Sequence, residues 1–123
     1  MAGEMRFISA LGFALLLSLG SPARADGLDV KLAAITSPVP PGGTVTMVIA
    51  TEPGATCSGR RQAHFGNEVP LRPLSQIAGT DGKVQWSWPI LPGMHPVGIR
   101  TVHIDCAQGD RQGAIDTSFD VRF

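Results

Sequence analysis

Apolar residues recur at every second position over most of this chain, the period of an extended strand whose alternate side chains face opposite sides of a sheet. The clearest case is Val84, Trp86, Trp88 and Ile90, which share one face while Gln85 and Ser87 take the other. Asp81-Gly82 just ahead is tight-turn chemistry, because Gly tolerates positive φ and Asp hydrogen-bonds nearby backbone. Leu28, Val30 and Leu32 alternate with Asp29 and Lys31, which predicts a half-buried strand over Leu28 to Ile35. Val45, Met47 and Ile49 define the inner face of a second strand over Thr44 to Thr51, and its β-branched density suits a central position. Arg100, Val102, Ile104 and Cys106 share a face, with Arg100 expected at its rim. Ile115, Thr117, Phe119, Val121 and Phe123 alternate strictly with Asp116, Ser118, Asp120 and Arg122.

Pro and Gly punctuate these runs. Pro38, Pro40 and Pro41 remove three ladder donors ahead of Gly42-Gly43, so Thr36 to Gly43 reads as an edge segment and turn. Glu52-Pro53-Gly54-Ala55, Pro92 to Pro96 and Gln108 to Arg111 read as further turns. From Ser58 to Ile77 the period decays, and a short strand or two with loops is expected there. About seven short strands without an amphipathic helix predict an antiparallel β-sandwich.

The amino terminus breaks the pattern. Arg6 precedes the apolar run Phe7 to Leu19, and Ala23-Arg24-Ala25 places small residues at the two positions read by signal peptidase. Residues 1 to 25 are therefore expected to be an export signal, cleaved before Asp26, with Met5 an alternative start. The run is shorter than the roughly 20 residues that span a bilayer. No membrane span is expected after cleavage, and the location implied is periplasmic or secreted. The remaining domain, 26 to 123, carries eight of the ten Lys and Arg (Arg6 and Arg24 precede it) and nine of the ten Asp and Glu (Glu4 precedes it), a net charge of −1. That balance supplies no field for nucleic acid or an anionic membrane.

Cys57 and Cys106 both follow the signal, in a compartment where disulfides persist, with no C-x-x-C and no neighbouring His to favour a metal or redox pair. A bond between them is expected, closing a loop of about 50 residues.

Pro53-Gly54-Ala55-Thr56-Cys57, Asp81 through Trp88, Pro96-Val97-Gly98 leading to Ile104-Asp105-Cys106, and Phe119-Asp120-Val121 together resemble the immunoglobulin-like domains of bacterial exported proteins. The resemblance implies an all-β immunoglobulin-like sandwich over 26 to 123 and speaks to fold more than activity. It departs from the antibody pattern, where the first Cys lies on the second strand and a Trp on the third. Here the first Cys follows the second strand's turn, and the tryptophans fall on the fifth strand as counted from sequence. If the cysteine strands are neighbours, the bond joins one sheet instead of pinning two.

Few residues offer chemistry. His103 and Asp105 share a strand face as two potential metal ligands, which only distant His64 or His95 could complete. Ser58, Ser75, Ser87 and Ser118 lack a nucleophile-elbow context, and Asp116 and Asp120 read as a solvated strand face before a carboxylate pair. No enzyme activity and no cofactor are expected. The sequence reading is a binding module for a protein or envelope component, with Arg60, Arg61, His64, Phe65 and Arg72 in the irregular stretch as its contact residues. The alternative is a small-ligand or metal carrier using His103 and Asp105.

Overall fold

The computed structural model describes residues 27–63, 66–93 and 97–123. The proposed signal, residues 1 to 25, and the binding residues His64 and Phe65 lie outside the described residues, as does His95.

Among the described residues, eight strands form two antiparallel sheets: β1 (Lys31–Ile35), β2 (Thr44–Ala50), β3 (Thr56–Gln62), β4 (Glu68–Pro70), β5 (Gln76–Ile77), β6 (Lys83–Pro89), β7 (Gly98–Gln108) and β8 (Arg111–Val121). One sheet has the order β1-β2-β6; the other runs β4-β3-β7-β8, with β5 also pairing β3. The irregular stretch thus contributes two short strands, β4 and β5, to one flank of the larger sheet. They raise the strand number to eight and make the tryptophan strand the sixth.

The alternation seen in the sequence maps onto burial. Val45, Met47 and Ile49 stand opposite Trp88, Trp86 and Val84 across the β2–β6 ladder, and all six are buried. Facing them from the larger sheet are Cys57, Val102, Ile104, Cys106, Phe119 and Val121, also buried. Trp88 meets Phe119 edge-to-face across the two layers, with centroids 5.6 Å apart, an arrangement favoured by the aromatic quadrupoles. The Trp86 indole N–H donates to the Pro73 carbonyl at 3.1 Å, satisfying its one polar atom. Neither tryptophan forms an exposed platform.

Three expectations are corrected. The first strand is shorter than Leu28 to Ile35: Leu28 instead donates its amide to the Gln112 carbonyl, bridging to β8. Within β1 a register irregularity falls between Leu32 and Ala34. It lets both Leu32 and Ile35, three residues apart, pack against the core, which strict alternation forbids. At the other end Phe123 lies past β8 and is almost fully exposed, because the chain leaves the sheet after Val121.

Cys57 and Cys106 are direct partners on neighbouring β3 and β7, with Cα atoms 4.0 Å apart and a disulfide between them. The bond therefore lies within the larger sheet. Next to it, Gly59 lets Ile104 and Leu71 close over the strand; an added Cβ would come within 2.8 Å of Leu71 Cδ1.

Candidate functional site

The solvent face of the larger sheet gathers most of the polar chemistry. In β3, Cys57, Gly59 and Arg61 turn inward while Ser58 and Arg60 turn outward, as the strand period requires. Register then places Arg60 opposite His103 and His103 opposite Asp116, and Ser58 opposite Asp105. One row of side chains therefore crosses three strands.

His103 is held at both ring nitrogens. Nδ1 lies 2.6 Å from Asp116 Oδ1 and Nε2 lies 3.0 Å from Asp105 Oδ1. A ring that donates from both nitrogens is an imidazolium. The hydrogen bond to Asp116, and next that to Asp105, raise the His103 pKa above its ordinary value. Arg60 continues the row, with Nε donating to Glu68 Oε1 at 3.2 Å and Nη1 lying 3.8 Å from Asp105 Oδ2. About half of each of the Arg60, Glu68 and Asp105 side chains is exposed. Each pair is thus worth no more than about 1 kcal/mol, and what the network supplies is fixed side-chain position.

Beside this row lies an open groove of about 410 Å³ lined by Thr56, Ser58, Ser75, Asp105, Ala107 and Gln112, with the two disulfide residues beneath. The hydroxyl, amide and carboxylate groups that line it offer both donors and acceptors.

The residues singled out from sequence separate in space. Arg60 stands on this outer face. Arg61, expected beside it, points inward: its Cζ lies 5.8 Å from the Trp88 ring centroid. The irregular stretch begins as a regular strand through Gln62, so adjacent arginines must take opposite faces. Arg72 is exposed in the connection between β4 and β5, following buried Leu71. Of the metal alternative, His103 and Asp105 are indeed neighbours, but both His103 nitrogens already face carboxylates. Among the described residues no group of three or more His, Cys, Asp or Glu is placed to hold a metal ion. Asp116 and Asp120 have separate partners, His103 and Arg122.

Sequence reading missed Glu68 and Asp116 as members of this row. The second was within reach, since pairing outward from the two-residue turn Gly109-Asp110 puts His103 against Asp116. Glu68 carried no such signal, because β4 is only three residues long.

These two sheets, with their strand order and buried interlayer, define an immunoglobulin-like β-sandwich. Among solved structures the chain is similar to the ASH/PapD-like domain of human CEP192 (PapD-like domain 7), with a TM-score of 0.52 and 11% identity over 93% of this chain and 96% of that one. At that identity the likeness is one of fold. No family model matches the sequence, and no curated protein matches it. Among the described residues no helix is long and apolar enough to cross a membrane.

Proposed function

We propose that this chain is an exported, non-enzymatic binding module that contacts a protein or another envelope component through the outer face of the β3-β7-β8 sheet. The observation that carries the reading is the in-register row Arg60, His103 and Asp116, flanked by Glu68 and Asp105 and bordered by the groove over the disulfide. A contact surface works best when its charged groups are already positioned, because less side-chain freedom is then lost on binding. Arg60 is retained from the sequence-based contact residues, Arg72 becomes a peripheral contributor, and Arg61 is removed from this face. His103 faces a carboxylate at each ring nitrogen, so neither nitrogen is presented to an incoming substrate, which supports a non-catalytic role. The disulfide is compatible with a periplasmic or secreted location.

The test is crosslinking capture from envelope extract with the disulfide-bonded protein. Arg60→Glu should weaken capture, and Ala107→Arg, which fills the groove from an exposed position, should do the same. Ala107→Arg should leave the melting temperature nearly unchanged, since exposed substitutions usually cost under about 0.5 kcal/mol; Arg60→Glu should lower it modestly, by the roughly 1 kcal/mol at most of each exposed pair it breaks with Glu68 and Asp105. Full capture by the double variant would move the contact surface off this face.

A further inference from the structure

Two buried N–H donors at one place in the interlayer have no acceptor among the described residues. Trp88 is 5% exposed, and its Nε1 makes no hydrogen bond; Arg61 Nη1 is likewise buried and unpartnered. They come from different sheets, Arg61 from β3 and Trp88 from β6, and meet where the guanidinium lies over the indole. Buried donors are rarely left unpaired, so two of them on residues in contact call for an acceptor. Charge points the same way. Burial depresses the Arg61 pKa, and among the described residues no carboxylate offsets it, although a guanidinium stays charged regardless. Arg61 is only half-buried, so part of its side chain reaches solvent.

We infer that Arg61 and the Trp88 indole N–H form a binding site for a carboxylate, entering between the two sheets. The group must accept from two donors and offset one positive charge. A planar monoanion fits the flat guanidinium fork. The neighbours narrow the choice further: Val102 is the ladder partner of Arg61, Val45 that of Trp88, and Phe119 packs against the Trp88 ring. These apolar surfaces disfavour a strongly hydrated dianion such as phosphate, whose desolvation they would not offset. The carboxylate could belong to a small organic acid or to an acidic peptide. The outer-face contact surface is separate, so this site stands or falls independently of it.

The chain has two tryptophans, so its indole N–H groups give two resolvable NMR signals. Trp86, already bonded to Pro73, serves as the internal reference, and Trp88→Phe assigns the other. Titrating the disulfide-bonded protein with benzoate should shift the Trp88 indole signal saturably, with benzamide and equal ionic strength of chloride leaving it in place. A peptide with a free carboxylate terminus, set against its amidated form, tests the second source; tighter saturation by peptide or by benzoate decides between them. Arg61→Gln should abolish the response, and Arg60→Gln should preserve it. A response shared by benzamide or chloride, one that survives in Arg61→Gln, or no response to either carboxylate would overturn the site. If Arg61→Gln does not fold, the contrast of benzoate with benzamide on the unaltered chain still decides.

Discussion

Cys57 and Cys106 face each other across adjacent strands of one sheet, at a sequence separation of 49. The bond therefore does not hold the two layers together, and its contribution is to restrict the unfolded chain. For a loop of that length the chain-entropy estimate is about 4 kcal/mol. Replacing both cysteines by Ala should lower stability by about 2 to 5 kcal/mol while leaving the two-layer packing intact. Denaturant titration with Trp fluorescence checks the first part, and retained near-UV dichroism the second. Thiol counting on unfolded, unreduced protein should find no free thiol.

Layer packing instead rests on the tryptophans. Trp86 is 1% exposed and hydrogen-bonded to Pro73. Trp86→Ala should cost about 3 to 5 kcal/mol through lost contacts and the cavity left behind. Trp86→Phe keeps most of the volume and should cost less, near the roughly 1 kcal/mol of one hydrogen bond plus repacking. Equal losses in the two variants would mean that the indole N–H, and not packing, is what matters there.

His103 predicts a pH dependence of defined sign. Its pKa is raised in the folded protein by hydrogen bonds to Asp116 and then Asp105. Its stabilisation is therefore fully present below the unfolded value of about 6.5 and is lost as pH rises through the higher folded value. Melting temperatures should fall across that window in the native chain and fall less in His103→Gln. A parallel slope in both proteins would remove His103 as the cause.

Gly113 tests the seam between the first segment and β8. A Cβ there would collide with the Leu28 carbonyl oxygen and come within 2.9 Å of Val30 Cγ2. The backbone must move, because the obstacle is main chain. Gly113→Ala should destabilise by about 1 to 3 kcal/mol, the usual range for overpacking. The Leu28 amide, which donates to Gln112 at 3.0 Å, should lose hydrogen-exchange protection more than amides of β2. Uniform loss across both would indicate global destabilisation instead.

What the sequence by itself determined was the buried face of the long regular strands, which depends on side-chain period. Val84, Trp86, Trp88 and Ile90 are buried together, as are Val45, Met47 and Ile49, because a strand with one dry face must place its apolar residues two apart. The class of fold and the placement of the main turns follow from the same local information, and the pairing of the only two cysteines from their number and the expected export signal. Tertiary structure decided what depends on where strands lie relative to one another. The sequence read Arg60 and Arg61 as one basic loop, yet pairing of β3 with β7 sends one to solvent and the other under Trp88. His103 and Asp105 looked like two metal ligands until the β7–β8 register brought Asp116 to the second ring nitrogen. Leu28 to Ile35 looked continuous, but β8 offered Leu28 a hydrogen-bond acceptor, and a register irregularity took up the difference. In each case the local pattern fixes which face a side chain takes, and only long-range pairing fixes which neighbours it meets.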